Sequence, residues 1–232
     1  MEHMWLTLSA PMGAGKDTVA RLIFPHMGVD RWRVRSWADP LRGDVDMLLS
    51  AAAGGPATLG AAAEGLSIPD AAVDALYRRC RAALAEAGPS ARASDRTPQI
   101  RELLQWYGTD VWRAADQDYW VRRTMSIVST DQAGGFSVVT PDTRFVNEVE
   151  LPREQAGALA VRMTVSPQVQ RQRLLARDGH LPAAAAFSHP SETVLAGYDG
   201  FDAVVDTSQL TVEGSVAAVC SAVVALRRPA VC

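Results

Sequence analysis

The sequence predicts an α/β fold of three layers, in which a mostly parallel sheet is flanked by helices on both faces. Two observations predict this class. Short apolar runs typical of buried strands alternate with helix-like segments from one end of the chain to the other. The chain also has 232 residues, which is enough for one large domain with a small helical insertion. Such alternation favours parallel strands joined by helical crossovers.

The strands and helices follow from the apolar pattern. Strands are expected at residues 4–8, 32–37, 136–140, 158–164 and 203–206. Helices are expected at residues 19–23, 69–86, 97–107, 116–129, 167–177 and 212–226. The stretch 50–63 is rich in Ala and Gly, which predicts a loop or a weak helix.

Capping residues mark two helix starts. Asp39 precedes Pro40, which is the order of an N-cap and a first helical residue, so the sequence leaves Asp39 as either a cap or a ligand. Thr97 precedes Pro98 in the same way. Gly108 is expected to end the helix that begins there.

The composition is that of an ordinary globular protein, with 48% hydrophobic and 21% charged residues. The formal net charge of −3 gives no whole-molecule attraction to nucleic acid or to a membrane. Three widely spaced cysteines fit neither a disulfide framework nor a zinc cluster, which favours reduced thiols. No run approaches the ~20 apolar residues of a membrane span, and no leader pattern opens the chain. We therefore expect a soluble, cytoplasmic protein.

A glycine-bearing loop follows the first predicted strand. Residues 9–18 read SAPMGAGKDT and match the phosphate-binding pattern G-x-x-x-x-G-K-[ST], except that Ala10 replaces the first glycine and Asp17 the hydroxyl residue, which follows at Thr18. A strand, a glycine turn and a helix in this order aim backbone N–H groups at one point, beside the Lys16 ammonium. Asp17 also suits the first helical turn without any ligand. The expected phosphate-binding residues are Gly13, Ala14, Gly15, Lys16, Asp17 and Thr18.

The remaining charged residues favour phosphoryl transfer, which needs cations at the moving phosphate, a divalent ion and an acceptor pocket. Asp142 and Arg144 follow the predicted strand 136–140, at the edge where parallel α/β sheets bind ligands. Asp142 suits the hydration shell of Mg²⁺ or the orientation of an acceptor, and the Thr18 hydroxyl can reach a phosphate or the ion. Arg144 suits bidentate capture of an acceptor monophosphate.

An arginine-rich helix predicts a lid-like segment over approximately residues 167–192. Arg173 and Arg177 share one face of the predicted helix 167–177, while Arg171 lies to the side. A Gly-His-Leu-Pro break follows this helix, so the segment could bring Arg173 over the transferred phosphate and exclude water. The alternative is a charged helix exterior with no ligand.

Five stretches of the chain form an ordered set of motifs: GKDTVA at 15–20, WADPLR at 37–42, residues 97–110, DTRFVNE at 142–148 and HPSE at 189–192. In this order they resemble the bacteriophage-type deoxynucleoside monophosphate kinases, which are P-loop enzymes related to adenylate kinase. DTRFVNE is similar to that family's D-V-R-F-x-N-E, and HPSE to its H-x-S-E. This sequence departs from the family at Ala10, at Thr143 where valine is usual, and at Val146 where proline is common.

The resemblance implies transfer of the ATP γ-phosphate to a deoxynucleoside 5′-monophosphate, with Mg²⁺. It implies a single P-loop kinase domain with a helical substrate-binding insertion over approximately 43–131. By matched position, Lys16 neutralises the β- and γ-phosphates, and Asp142 and Arg144 line the acceptor-phosphate side. The residues expected near the acceptor are Asp39, Arg42, Trp106, Arg144 and Glu192. A homodimer is left open.

Three other functions compete with this one. The first is a kinase for a 5-hydroxymethylated pyrimidine nucleotide, or for that base within DNA; the net charge of −3 disfavours a nucleic-acid partner. The second is a nucleotide-binding module without catalysis, which would have little use for an acceptor-side arginine such as Arg144. A dephospho-coenzyme A kinase shares the general layout. The sequence does not decide which base is accepted.

Overall fold

The computed structural model describes residues 3–95, 97–183, 187 and 190–227, with backbone alone at 190 and 191. The described residues form two compact units. The sheet unit comprises the residues up to Trp37 together with those from Thr124 onward, and the helical unit comprises Ala38–Arg123. The insertion expected over approximately 43–131 overlaps most of the helical unit.

Five parallel strands form one sheet. They are β1 (Trp5–Ser9), β2 (Trp32–Val34), β3 (Ser137–Thr140), β4 (Leu159–Thr164) and β5 (Ala203–Asp206), in the spatial order β2-β3-β1-β4-β5. All the strand pairs are parallel. The predicted α/β class with a parallel sheet is therefore confirmed, although β2 is shorter than the expected strand 32–37.

The helices fill the intervals between the strands. They are α1 (Lys16–His26), α2 (Asp39–Ala53), α3 (Pro56–Gly65), α4 (Asp70–Ala87), α5 (Pro98–Gln105), α6 (Tyr119–Ala133), α7 (Asn147–Ala156), α8 (Pro167–Asp178), α9 (Pro190–Thr193) and α10 (Val212–Arg227). A 3₁₀ turn covers Ala93–Asp95, and a π-helix covers Trp106–Arg113. None of the helices in the described ranges has the length and apolarity needed to cross a bilayer.

Helices cover both faces of the sheet because successive strand residues point to opposite sides. Buried residues such as Leu6, Leu8 and Val161 pack on one face against α1 and α10, whose Ile23 and Val219 belong to the same cluster. On the other face, Val149 of α7 packs against Ala160 of β4 and against Leu195. This arrangement is compatible with the predicted three layers. It also means that Arg162, two residues after Ala160, lies on the α7 face.

The helical unit has its own apolar core, which includes Leu48, Leu76, Ile100 and Leu103. One charged group is buried in it. The Asp44 side chain is 4% exposed and accepts hydrogen bonds from the Tyr107 hydroxyl at 3.2 Å and from Nη2 of Arg123 at 2.9 Å. Burial is the largest cause that raises the pKa of Tyr107. The three polar groups satisfy one another, which is what a buried carboxylate requires.

The structure decides or corrects three local predictions in this unit. For residues 50–63 a loop or a weak helix was expected, and the helix occurs: residues 50–53 end α2 and residues 56–63 belong to α3, whose Leu59 and Ala63 are buried in the core. Gly108 does not end a helix, because the chain continues as the π-helix through Arg113. Asp39 is the first residue of α2 rather than its cap, and the preceding alanine occupies the cap without a side-chain hydrogen bond. Thr97 does cap α5, since its hydroxyl accepts a hydrogen bond from the backbone N–H of the third helical residue.

Candidate functional site

The loop at residues 10–15, called the glycine loop below, connects the end of β1 to the start of α1. Gly15 is the N-cap of α1 and has a left-handed backbone, with φ of 89°. Within the loop, the Ala14 N–H donates to the Pro11 carbonyl at 3.2 Å, which forms a tight turn. Lys16 is the first residue of α1 and Thr18 lies in its first turn. The unpaired N–H groups at the start of α1 thus lie at the helix end that favours anions, and Lys16 is the first residue of that helix.

The glycine loop is held in place by α8. A Cβ atom on Gly13 would lie 3.0 Å from Cγ of Leu174 and 3.4 Å from the Gln170 carbonyl oxygen, and the φ of Gly13 is +77°. The side chain of Gln170 also donates to the Met12 carbonyl at 2.9 Å. Gly13 is therefore required both by the backbone conformation and by the close approach of α8.

Lys16 has two properties that mark it out. It is the only lysine in a sequence with 23 lysine and arginine residues in total. Among the residues that the structure describes, no carboxylate lies within ion-pair distance of its ammonium. All the other residues in this count are arginines. The compact ammonium group of a lysine side chain therefore occurs only at the start of α1.

A cavity of about 330 Å³ adjoins the glycine loop. It is lined by Ala14, Gly15, Thr18, Val19, Arg173, Leu210, Thr211, Val212 and Ser215. Arg173 forms part of its wall, because its guanidinium donates to the carbonyls of Thr207 at 2.7 Å and of Leu210 at 3.2 Å. In this structure Arg173 thus fixes the loop after β5 to α8. The Arg177 guanidinium, one turn further along α8, hydrogen-bonds to Asp178, and this bond raises the pKa of Arg177.

Asp142 lies at the carboxyl end of β3, as expected, and is held by the segment that follows β2. Its Oδ2 atom accepts a hydrogen bond from the Ser36 hydroxyl at 2.5 Å, and its Oδ1 atom accepts one from the Trp37 N–H at 3.3 Å. The indole N–H of Trp37 donates to the Thr143 hydroxyl at 3.1 Å. These contacts fix the direction of the carboxylate.

Arg144 and the glycine loop meet at Glu192. The Oε1 atom of Glu192 lies 3.4 Å from Nη1 of Arg144, and its Oε2 atom accepts a hydrogen bond from the Met12 N–H at 2.9 Å. The backbone of Arg144 is fixed separately, because its N–H donates to the buried Glu148 carboxylate at 2.7 Å. One carboxylate therefore joins the Arg144 side chain to the glycine loop.

Sequence reasoning missed Arg162. This residue lies in β4 directly beside Ser9, the last residue of β1. Its Nη1 atom donates to the buried Ser9 hydroxyl at 2.9 Å, and its guanidinium carbon lies 5.6 Å from the centroid of the Phe201 ring. Burial lowers the pKa of Arg162, and the charge of Glu192 opposes that change. The available signal was a single charged residue in the otherwise uncharged strand Leu159–Thr164.

The other sequence-predicted residues lie in the helical unit. Asp39 and Arg42 form an ion pair of 3.5 Å along α2. Trp106 is partly buried, and the Arg79 guanidinium lies 5.0 Å from the centroid of its ring. A separate cavity of about 270 Å³ is lined by Leu41, Leu104, Gln105, Gly108, Thr109, Arg113 and Trp120. The tryptophan that borders this cavity is thus Trp120, whose indole N–H donates to the Gly108 carbonyl at 2.9 Å.

The structure brings together part of the predicted site. The glycine loop, Arg144 and Glu192 are joined by direct contacts, and Arg173 shares the cavity wall with Ala14 and Thr18. Asp39, Arg42 and Trp106 belong to the helical unit. His189 and the side chain of Ser191 lie outside the described residues, as does part of the expected lid segment.

Comparisons with protein-family models and with curated proteins found no match. The described residues define a parallel α/β protein. At the carboxyl edge of its sheet lie a glycine loop, a lysine and an arginine–glutamate ion pair. No group of three or more His, Cys, Asp or Glu side chains that could hold a metal ion occurs in the described ranges.

Proposed function

We propose that the protein is a kinase with a P-loop fold that transfers the γ-phosphoryl group of ATP to a deoxynucleoside 5′-monophosphate. The observation that carries this proposal is the contact made by Glu192. Its carboxylate touches both the Met12 N–H of the glycine loop and the Arg144 guanidinium, at 2.9 Å and 3.4 Å. A phosphate-binding loop and an acceptor-side arginine within reach of one carboxylate are close enough to serve one transfer reaction.

The strand order supports a P-loop fold. β1 is central in the order β2-β3-β1-β4-β5, and the glycine loop follows it directly. The connection after β1 leads to β2 on one side, while the connection after β4 leads to β5 on the other side. Neighbouring strands whose connections diverge in this way form a crevice at their carboxyl ends, where α/β proteins bind ligands. Ser9 and Arg162 lie at that crevice.

The donor side has groups suited to ATP. Backbone N–H groups and Lys16 at the start of α1 would hold the β- and γ-phosphates, since an ammonium and a helix N-terminus both favour anions. The adjoining cavity of about 330 Å³ has the size of a small-molecule pocket and takes the nucleoside. Arg173 contributes to its wall, so we assign this residue to nucleotide binding as well as to the predicted transfer step.

The donor set of this chain also fits Mg²⁺. This ion is usually bound by one or two carboxylates together with substrate phosphates and water, and it does not need a cage of protein ligands. Asp142, whose direction is fixed by Ser36 and Trp37, and the Thr18 hydroxyl would hold it. The bound ion would supply positive charge that offsets the negative charge developing on the phosphates during transfer.

In the proposed reaction, an oxygen of the acceptor monophosphate forms a bond to the γ-phosphorus of ATP, and the bond from that phosphorus to the β,γ-bridging oxygen breaks. ADP leaves, and the acceptor becomes a diphosphate. Arg144 holds the acceptor phosphate and Lys16 the donor phosphates, so both residues offset negative charge as the two anions approach.

The test is ATP-to-ADP turnover with Mg²⁺ against a panel of acceptors. The panel holds the four common deoxynucleoside monophosphates, 5-hydroxymethyl-dUMP, the ribonucleotides, dephospho-coenzyme A and a hydroxymethylated DNA duplex. We expect turnover on at least one free deoxynucleotide. Lys16→Ala should lower kcat by about 100-fold or more, as loss of one transition-state contact commonly does. The matched variant Lys16→Arg keeps the positive charge but replaces the compact ammonium by a planar guanidinium, so it tests whether the shape of the cation matters.

The outcomes separate the competing functions. Turnover on the DNA duplex alone would replace the proposed acceptor with a modified base in DNA. ATP binding without turnover on any acceptor would contradict a kinase and favour a module without catalysis.

A further inference from the structure

Glu192 satisfies two groups that bind phosphate in the proposed function. Its side chain is 10% exposed, and its two carboxylate oxygens contact different partners, the Met12 N–H and the Arg144 guanidinium. A carboxylate in such a position carries the same sign of charge as a phosphate and accepts the same hydrogen bonds. The anionic group at this edge of the sheet is therefore the chain's own Glu192 carboxylate.

Arg162 completes the cationic surroundings of this carboxylate. Its guanidinium has five N–H donors, and its contacts among the described residues are the Ser9 hydroxyl and the Phe201 ring. Glu192 is near enough for its charge to act on Arg162. In the described part of the chain no carboxylate comes within the 4.0 Å ion-pair distance of Arg162. The partly buried guanidinium thus has donors for a further anion.

The position of Arg162 agrees with a ligand role. It is paired with Ser9 in the register of β1 and β4, the two strands whose connections diverge. The glycine loop begins at the next residue after Ser9, and Arg144 lies in the loop after the neighbouring strand β3. Arg162 is on the α7 face, which is also the face of the cluster that contains Leu195, three residues after Glu192.

We infer that Arg144, Arg162 and the Met12 N–H form one binding site for a phosphate monoester, and that Glu192 is the internal anion which the phosphate displaces. The inference rests on the proposed function, because it assigns the phosphate end of the acceptor. A phosphate dianion has three terminal oxygens and more charge than a carboxylate. It can therefore accept from further donors of Arg162 and replace Glu192 as the partner of Arg144. Glu192 then competes with the substrate instead of binding it.

The two side chains should have opposite effects on binding, and 2-deoxyribose 5-phosphate is a suitable probe. It carries the phosphate monoester of any deoxynucleotide without a base. Binding is measured by calorimetry on the full chain in a Lys16→Ala background, which weakens the separate phosphate site at the start of α1. We expect Glu192→Gln to tighten binding about threefold or more, and Arg162→Gln to weaken it about tenfold. Arg162→Lys keeps the charge but loses the planar fork, so its effect should fall between wild type and Arg162→Gln.

Two matched controls remove the same charges from exposed positions. Glu154→Gln and Arg101→Gln should each change the affinity by less than twofold, and thermal unfolding checks that every variant is folded. Weaker binding in Glu192→Gln would overturn the inference, because Glu192 would then bind the substrate directly. Unchanged binding in Arg162→Gln would also overturn it. If both variants behave as expected while no acceptor is phosphorylated by ATP, the phosphate site stands and the proposed kinase function fails.

Discussion

Replacing Gly13 by alanine tests how the glycine loop is held. The added Cβ would lie 3.0 Å from Cγ and 3.3 Å from Cδ2 of Leu174, closer than ordinary van der Waals contact. Gly15 offers a matched control. It has a similar backbone, with φ of +89° against +77° for Gly13, but a Cβ there would meet no atom within 4 Å. The two variants therefore share the backbone strain and differ in the steric contact.

The expected losses in the free energy of unfolding follow from the backbone strain and from the steric contact. A non-glycine residue in the left-handed region costs about 1–2 kcal/mol, so Gly15→Ala should lower the free energy of unfolding by about 1.5 kcal/mol. Overpacking a well-filled site adds about 1–3 kcal/mol, so Gly13→Ala should lower it by about 3 kcal/mol. Leu174 is fully buried, which limits the room for the neighbouring side chain to move.

Urea denaturation followed by circular dichroism measures both variants. A double variant with Leu174→Ala removes the two nearest atoms, so in that background Gly13→Ala should cost no more than Gly15→Ala does alone. Equal losses of stability for Gly13→Ala and Gly15→Ala in the wild-type background would refute the packing of α8 against the glycine loop.

Three further predictions concern buried polar groups. Asp131→Asn should lower the free energy of unfolding by about 2 kcal/mol at pH 7, because Asp131 accepts charge-assisted hydrogen bonds from Arg35. The hydrogen bond from Arg35 lowers the pKa of Asp131 below its ordinary value of 3.8, so this stabilisation is present above about pH 4 and is lost as the pH falls through the lowered pKa. In urea titrations from pH 7 to pH 3, the free energies of unfolding of the wild type and of Asp131→Asn should therefore converge. Asp44→Asn should lower the stability by about 3 kcal/mol, measured in the same way, because it leaves Arg123 without its charged partner. Burial raises the pKa of Cys80 to about 12, so a disulfide reagent at pH 8 should modify Cys80 roughly 100-fold more slowly in the native protein than in urea.

Exposed Asp74 provides the control for both aspartate variants, since Asp74→Asn should change the stability by less than about 0.5 kcal/mol. Losses of that small size for Asp131→Asn or Asp44→Asn would contradict the assigned ion pairs. Equal rates of thiol modification in native and unfolded protein would contradict the burial of Cys80.

The sheet was predictable because its central strands β1, β3 and β4 are short, largely apolar and mostly buried runs. All five expected strands occur. β3 and β4 each begin one residue later than expected, and β2 ends three residues earlier. The Arg35 N–H still donates to the Val139 carbonyl of β3, but Ser36 and Trp37 contact Asp142 instead. The helix starts at Pro98 and Pro167 also agree with the sequence, because a hydroxyl cap and a proline act through local geometry.

Tertiary packing explains one local prediction that was wrong and one that the sequence left open. Gly108 was expected to end a helix, but a Cβ there would lie 2.9 Å from Cδ2 of Leu41, so the glycine permits a close approach within the helical unit. Residues 56–65 form a helix with little apolar pattern because Leu59 and Ala63 are buried against α2 and α4. Neither contact can be read from spacing along the chain, since each depends on residues distant in sequence.

In the candidate site too, local features were predictable from the sequence and contacts between distant residues were not. The glycine loop was predictable because its residues are contiguous and their order has a physical meaning. The link from Met12 to Glu192 joins residues 180 positions apart, and Arg162 contacts Ser9 across 153 positions. Only the sheet topology brings such residues together. The role expected for Trp106 and the lid role of Arg173 stay predictions, and they depend on how a substrate is bound.

The proposed function requires that the glycine loop bind the phosphates of ATP, and the single lysine of the sequence allows a direct measurement of this binding. An acyl phosphate of ATP delivers its acyl group to a nearby amine, forming an amide and releasing ATP. Lys16 and the α-amino group are the aliphatic amines of this sequence, so mass spectrometry of peptides can separate them. The proposed function predicts acylation at Lys16 that excess ATP with Mg²⁺ suppresses, while acylation of the α-amino group is unchanged. Acylation of Lys16 that is absent, or that ATP does not suppress, would contradict it.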